Sequence, residues 1–225
     1  TSDYGYDKEA IITGNMTTET QAQNDAVVND LSRIPGVKEV AFSMFILSSA
    51  DSYMNWAMDD NNTVVQFDVM PVDYRFLDVM GIHVTEGRNF KPGDGDVYIF
   101  NEATRKKYPW MKVDQPAPDD HLIVGFCENI KYSSFRNDDN TQPMAFFIYG
   151  KNFEKLGHQW QQTINVRVSA GVDKIAIIRS LQKTMEKFTP GHDFNFRFMD
   201  EVLDANYRNE LRFTKQILLF SLIAI

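Results

Sequence analysis

Along the chain, apolar residues alternate with polar ones in some segments and recur at helical spacing in others. One succession of these two patterns occurs twice. In residues 9–46, a short apolar strand is followed by apolar side chains at helical spacing over 22–34. Pro35-Gly36 ends this stripe, and alternating apolar residues over 37–46 predict a second strand. The segment therefore predicts a strand, a helix and a strand in that order.

The same order returns in residues 163–199. Alternation over 163–169 predicts a strand, and helical spacing over 172–188 predicts a helix that Pro190-Gly191 ends before phenylalanines alternate again. Each segment thus predicts a βαβ-type half, which closes most readily as a right-handed crossover. We expect the two halves to pair into one α+β subdomain.

The residues between the two halves follow a different pattern. Residues 75–155 contain short apolar runs separated by turn-rich stretches, which is typical of a β-rich subdomain. The predicted fold class is therefore α+β, with residues 1–74 and 156–212 forming one discontinuous subdomain and residues 75–155 inserted as a second. Both ends of the chain would then belong to the same subdomain.

Three aromatic residues fall in segments whose pattern predicts loops. Tyr53 and Trp56 are interleaved with polar residues in 48–62, and Trp110 follows a short predicted helix. Large aromatic side chains on loops are candidates for an exposed contact with a partner or cargo protein. The alternative is that they cover the edge of a core.

The final run, residues 217–225, is apolar apart from Ser221. Nine helical residues rise about 14 Å, roughly half of the hydrocarbon thickness of a bilayer. The run is either the buried end of a core helix or the first half of a membrane span. Residues 201–216 are amphipathic, and the loss of their polar face in the final run favours the span. We expect residues 213–225 to begin a truncated transmembrane helix, in a fragment or a processed product.

Composition and charge narrow the classes of partner. The 225 residues are 43% hydrophobic and 24% charged, as in globular proteins, and suffice for one large or two small domains. The formal net charge of −8 argues against nucleic acid and against an anionic membrane surface as the main partner.

Few residues suggest catalysis. Cys127 is the only cysteine, so an internal disulfide is impossible, and its apolar surroundings predict a buried, inert thiol. The histidines lack the spacing of a zinc site, and surface or turn positions are expected for all four, His83, His121, His158 and His192. The sequence also lacks a nucleophile elbow, a zinc-protease motif and a phosphate-binding Gly-rich loop. We expect neither an enzyme nor a cofactor or metal site.

One stretch carries a resemblance to a known family. Residues 72–90 contain, in order, Asp-x-x-Phe, Gly-Ile and Gly-Arg-x-Phe. Downstream, Asn-Glu-Ala stands at 101–103, Ile-Val-Gly-Phe at 123–126, and Gln-Pro precedes an apolar strand at 142–143. Together with residues 34–40, this ordered set resembles the extracytoplasmic domain of the MacB/FtsX-type ABC transporter permeases, and the resemblance covers nearly the whole chain.

The resemblance implies a porter-like discontinuous subdomain within a permease of four transmembrane helices. This domain would lie between the first two spans, on the periplasmic side of the bacterial inner membrane. The implied partners are a cognate cytoplasmic ABC ATPase, a second permease in a homodimer or heterodimer, and a periplasmic adaptor or cargo protein. ATP hydrolysis would move the outer domains, to export a peptide, lipoprotein or drug or to activate a partner protein.

The resemblance also gives a role to the end of the chain. Glu210, Phe213 and the apolar run from Ile217 resemble the start of the family's second transmembrane helix. Residues 202–225 would then be one stiff helix and the mechanical link between domain and bilayer.

The motif in residues 72–90 is expected to specify local structure, and it contains no catalytic group. Its apolar residues share one helical face, Gly81 ends the helix and Gly87 permits a tight turn. Arg88 is expected to pair with a nearby carboxylate or carbonyl group.

Two other functions remain open from the sequence. The chain could be the ligand-sensing outer domain of a membrane receptor, which needs a concave pocket with convergent polar groups. It could also be an enzyme such as a hydrolase, which needs two or more titratable groups converging in a cleft.

Overall fold

The computed structural model describes residues 10–47, 54–60, 63–130 and 142–205. Over this part the chain forms two β-sheets with short helices, which confirms the α+β class. The strands are β1 (Ile11–Asn15), β2 (Val37–Ser43), β3 (Met54–Asp60), β4 (Thr63–Pro71), β5 (Val84–Gly87), β6 (Val97–Asn101), β7 (Leu122–Cys127), β8 (Met144–Ile148), β9 (Thr163–Val168) and β10 (Arg197–Phe198). The α-helices are α1 (Thr18–Ala22), α2 (Asn24–Leu31), α3 (Phe76–Met80), α4 (Glu102–Lys107) and α5 (Lys174–Glu186), and Lys151–Leu156 form a 3-10 helix.

The four-stranded sheet combines both ends of the described chain. Its order is β10-β1-β9-β2, and every neighbouring pair is antiparallel. The predicted pairing of the two halves is therefore confirmed. The strands of one half are parallel but never adjacent, because a strand of the other half lies between them. The halves interleave, and the simple βαβ crossover between neighbouring strands is replaced by a split one.

The predicted first helix is divided in two. The Thr17 side chain caps α1 by accepting from the Thr20 N–H, and the Thr20 hydroxyl accepts from the Thr17 N–H in return. Gln23 leaves the helical region with φ −122° and ψ 28°, and its N–H donates to the Thr20 carbonyl, so the chain restarts as α2.

The six-stranded sheet has the order β3-β4-β8-β6-β7-β5. The prediction of a loop over 48–62 is wrong for residues 54–60, which form β3 and pair with β4. The polar composition hid a period of two, in which Met54, Trp56 and Met58 point to one face and polar or small residues to the other.

The bounds of the two subdomains stay a prediction, but sheet membership differs from the boundary drawn at residue 74. Both β3 and β4 belong to the six-stranded sheet, because β4 pairs in parallel with β8. The two sheets also meet directly. An isolated antiparallel bridge joins Ser43 to Val72, and the Met44 N–H donates to the Pro71 carbonyl over 2.9 Å.

Three apolar layers hold these elements together. One lies between the four-stranded sheet and the helices α2 and α5. Another, here called the outer apolar layer, covers the face of the six-stranded sheet that points away from the four-stranded sheet. Between the two sheets lies a third cluster, here called the shared core, which takes buried residues from both sheets and from α3. Its members include Ile11, Ala41, Phe76, Leu77, Ile99, Phe146, Met199 and Leu203.

Candidate contact surface and C-terminal link

Trp56 is a strand residue, which corrects its predicted place in a loop. Its half-buried indole meets three rings edge-on, with centroid distances of 6.5 Å to Phe67, 6.4 Å to Tyr98 and 5.4 Å to Phe147. Such edge-to-face contacts are favourable arrangements of aromatic rings. Trp56 therefore helps cover the outer apolar layer, the alternative that the sequence left open. Tyr53 lies outside the described residues.

Trp110 lies in the turn after α4 and is 44% exposed. Its ring meets Tyr108 edge-on at 6.4 Å, and the Tyr108 hydroxyl accepts a hydrogen bond from the Gln66 N–H over 3.0 Å. Tyr108 is thus held in place, and it supports an indole that faces solvent. The role of Trp110 as a partner or cargo contact stays a prediction.

The residues predicted to link the domain to the membrane, Glu210, Phe213 and Ile217, lie outside the described residues. The helical segment that leads toward them begins at residue 199 and is described to residue 205. We call residues 199–205 the exit helix. Among the described helices, none is both long and apolar enough to cross a membrane.

The exit helix is anchored by its apolar face. Met199, Val202 and Leu203 are buried, with exposed fractions of 0%, 4% and 1%, whereas Glu201 and Asp204 face solvent. Met199 and Leu203 belong to the shared core. Displacing this helix as a unit would therefore disturb packing between the two sheets.

Polar contacts fix the start of the exit helix. The Lys174 ammonium lies 4.3 Å from the centroid of the Phe198 ring and 3.4 Å from the Asp200 carboxylate. Phe198 is paired with Ile12 in an antiparallel ladder, so the exit helix leaves at the end of the sheet where β1 begins. The first described residues and the start of the exit helix thus lie at the same end of the four-stranded sheet.

The motif of residues 72–90 lies against this sheet. The Arg167 guanidinium of β9 donates from Nε to the Val79 carbonyl near the end of α3, over 2.8 Å. Gly81 ends α3 in the left-handed conformation, with φ 71°. The sequence predicted this helix end, and the bond to Arg167 appears only in the tertiary structure.

Arg88 has the carboxylate partner that the sequence predicted. Its two terminal nitrogens donate to both oxygens of Asp94, over 2.7 and 3.1 Å. Burial opposes ionisation of Asp94, but the hydrogen bonds and charges of Arg88 and Lys91 outweigh it and hold the pKa of Asp94 below its ordinary value. This bidentate pair closes the loop that follows Gly87.

A second ion pair is more deeply placed. The Asp73 carboxylate accepts from the Arg75 guanidinium over 2.8 and 3.1 Å. Burial nevertheless raises the pKa of Asp73 to about 6, because the loss of hydration outweighs the favourable charge of Arg75.

The described part of the chain contains no group of three or more His, Cys, Asp or Glu residues placed to hold a metal ion. Burial, assisted by the charges of Glu128 and Glu102, raises the pKa of the Cys127 thiol to about 12. The prediction of a buried cysteine is confirmed.

His121 is less exposed than the sequence predicted. Its side chain is 16% exposed and its Nδ1 lies 2.9 Å from the Asp119 carboxylate, which also accepts from the Tyr98 hydroxyl over 2.7 Å. The sequence shows Asp119 and His121 close together in one turn, but not their contact with Tyr98, which lies on the distant strand β6. Asp119 and His121 are separated by one residue, a spacing that by itself indicates only a turn.

One open cleft matters for the ligand-sensing alternative. It has a volume of about 440 Å³ and lies where β1 and β2 end and β9 begins. The amides of Asn15, Gln21 and Gln162 and the side chains of Met44 and Phe45 are among its lining. A ligand-sensing function would be tested there, since it is concave and mixes polar with apolar groups.

Comparison with known proteins supports the fold. The chain matches no model of a known protein family, and no curated protein sequence is significantly similar to it. The structure is similar to the periplasmic region of MacB from Actinobacillus actinomycetemcomitans, with 13% sequence identity, a TM-score of 0.59, and coverage of 89% of this chain and 94% of that one. It is also similar to the extracellular domain of the noncanonic ABC-type transporter YknZ from Gram-positive bacteria, with 12% identity, a TM-score of 0.54, and coverage of 83% and 97%.

These similarities extend over most of both chains and confirm the fold that residues 72–90 and the motifs after them implied. The chain has the fold of the extracytoplasmic domains of MacB-like ABC transporter permeases.

Proposed function

We propose that this chain is the extracytoplasmic domain of an ABC transporter permease and that it carries movement from the membrane to the outside. A cognate cytoplasmic ATPase supplies the energy, and two permeases work as a homodimer or heterodimer in the bacterial inner membrane. The movement exports a peptide, lipoprotein or drug, or activates a periplasmic partner or adaptor protein. The domain itself catalyses no reaction.

One observation carries this proposal: the exit helix begins inside the shared core. Met199 and Leu203 pack there, and the Lys174 ammonium at the start of α5 lies 3.4 Å from the Asp200 carboxylate. Such packing provides the rigid connection that a mechanical link requires. Because protein interiors are densely packed and deform little, a push on this helix moves the sheets as a body.

A flexible insertion tests the link. In the full-length permease, reconstituted with its ATPase in lipid vesicles, Gly-Ser-Gly-Ser is inserted between Asp204 and Ala205, just after the buried residues of the exit helix. Each permease carries one spin label, at Ala26→Cys on the exposed face of α2. The distance between the two labels is measured with and without ATP.

We expect ATP to change the label distance in the unmodified protein and to leave it unchanged in the insertion variant, while ATP hydrolysis continues. The same four residues inserted after Gly157, which has open space around it, serve as the matched control and should preserve the change. An ATP-dependent change that persists with the insertion after Asp204 would refute the proposal.

A further inference from the structure

Strand β3 lies at one edge of the six-stranded sheet, and no other described strand covers it. In the described part of the chain β3 pairs only with β4, in an unbroken antiparallel register from Met54–Val69 to Asp60–Thr63. Natural edge strands are commonly protected by proline, lysine, a bulge or a covering element. The seven residues of β3 include neither proline nor lysine, and the register contains no bulge. Its charged residues, Asp59 and Asp60, are confined to one end of the strand.

The register also shows which main-chain groups face outward. Gln66 lies opposite Ala57, yet the Gln66 N–H donates to the Tyr108 hydroxyl, on the side away from β3. The N–H of Asp68, opposite Asn55, likewise donates to the Pro143 carbonyl over 2.9 Å. These are therefore non-hydrogen-bonded pairs of the hairpin.

It follows that Asn55, Ala57 and Asp59 direct their N–H and C=O groups away from β4. In the described structure none of these six groups has a main-chain partner, and all three side chains are exposed. A row of free donors and acceptors along an extended strand is a template for another strand.

We propose that this edge pairs with β3 of a second copy of the chain, antiparallel and about a two-fold axis at Ala57. Ala57 is the midpoint of β3, so this register matches all seven positions of the strand. The smallest exposed side chain of the strand then lies on the axis. The pairing joins two six-stranded sheets into one continuous sheet. It rests on the geometry and the side chains of β3, independently of the proposed transport function.

The side chains on the exposed face are complementary in this register. Asn55 of one copy faces Asp59 of the other. The Asn55 amide donates one hydrogen to Asp68 of its own chain over 3.1 Å, and its second hydrogen would be donated to the Asp59 carboxylate across the axis, at two equivalent positions. A two-fold axis at Asp59 would instead bring two carboxylates together. An axis at Asn55 would leave the second half of each strand unmatched. Complementarity thus selects the axis at Ala57.

The opposite face is complementary as well. The half-buried Trp56 of one copy would lie beside Met58 of the other, which is 6% exposed, so the indole would meet only the edge of the thioether side chain. Trp56 already borders the outer apolar layer through Phe67 and Phe147. The two outer layers would therefore become continuous across the axis.

Two physical effects limit how strongly two copies associate through β3. One strand edge buries less than the roughly 1,200 Å² typical of stable complexes, so isolated domains should associate weakly, and more strongly where two copies are held close together. Each copy carries a net charge of −8, so the copies repel one another at long range. Added salt should strengthen the association by screening this repulsion.

Cysteine cross-linking tests the axis. In an antiparallel hydrogen-bonded pair the Cα atoms lie about 5.5 Å apart, within the range that a disulfide spans. Cys127 is buried and does not interfere. Under mild oxidation at high protein concentration and about 0.5 M salt, which screens the like charges, Ala57→Cys should form a covalent dimer at least tenfold faster than Ala26→Cys. Ala26 is a control residue on α2 that is also exposed.

A proline substitution tests the hydrogen bonds. Ala57→Pro removes an N–H that points away from β4, so the hairpin keeps its ladder, as proline tolerates edge positions. By sedimentation equilibrium we expect salt-strengthened dimers for the unmodified domain and monomers for Ala57→Pro, with unchanged circular dichroism. Equal cross-linking rates at Ala57 and Ala26, a monomeric unmodified domain, or assemblies larger than dimers would overturn the proposal.

Discussion

Replacement of Gly87 by alanine tests whether residues 72–90 act as a folding signature. Gly87 has φ +79°, a conformation that costs a residue with a Cβ about 1–2 kcal/mol. An added Cβ would also strike the Val124 carbonyl oxygen and lie 2.9 Å from both Gly125 Cα and Val113 Cγ1. Two of these atoms belong to the backbone of β7, which cannot rotate away.

Gly93 provides a matched control in the same loop region. It has φ +87°, but a Cβ there would meet nothing within 4 Å. Alanine reduces the entropy of the unfolded chain at either position, which offsets the strain by about 0.4–1 kcal/mol. We therefore expect Gly93→Ala to lower the free energy of unfolding by about 1 kcal/mol.

Gly87→Ala should carry the same strain and, in addition, the cost of overpacking, about 1–3 kcal/mol. The expected total is about 2–4 kcal/mol. The assay is urea unfolding of the isolated domain followed by circular dichroism. With a slope of about 3 kcal/mol/M, the two variants should differ in midpoint by roughly 0.3–1 M. A midpoint for Gly87→Ala equal to or above that of Gly93→Ala would refute the reasoning.

Three further predictions concern the core and its ionisable groups. Leu203→Ala should lower the free energy of unfolding by about 2–4 kcal/mol because Leu203 is buried in the shared core. Glu201→Ala, on the exposed side of the same helix, should change it by less than about 0.5 kcal/mol. Urea unfolding measures both, and similar effects of the two substitutions would contradict the packing. The pKa of Asp73 is raised from 3.8 to about 6 in the folded state, so its contribution to stability is largest below about pH 4 and is lost as pH rises toward 6. The stability difference between the unmodified domain and Asp73→Asn should therefore fall by up to about 3 kcal/mol over this pH range, and a flat difference would count against the raised pKa. Since burial raises the pKa of Cys127 to about 12, its reaction with a thiol reagent at pH 8 should be slow and should accelerate at least a hundredfold in urea above the unfolding midpoint, and rapid labelling of the folded domain would contradict this.

The sequence by itself predicted much of the fold because local patterns are short-range. Helical spacing and a Pro-Gly stop defined α5 to within two residues at each end. Gly81 marked the end of α3 because only glycine adopts a left-handed conformation there without strain. Arg88 was expected to find a partner, although its identity, Asp94, depended on how the loop closes. Repetition of one strand–helix–strand pattern predicted that distant segments would pair.

The tertiary structure decided what local patterns leave open. The two strands of one half can be neighbours in the sheet or can be separated by a strand of the other half. Which arrangement forms depends on pairing between residues more than 100 positions apart, and local sequence patterns do not indicate it. Trp56 was read as a loop residue because its neighbours are polar. Its strand exists because β4 offers a partner at every position.

The proposed function and the proposed interface rest partly on the sequence and partly on the tertiary structure. The motifs in residues 72–90 and 101–126 pointed to the permease fold from the sequence alone, because each is tied to a local turn or helix end. The anchoring of Met199 and Leu203 in the shared core, and the outward row of main-chain groups at Ala57, exist only once both sheets are assembled. Sequence patterns specify which face of an element is apolar, and packing against distant elements decides which faces and edges remain open.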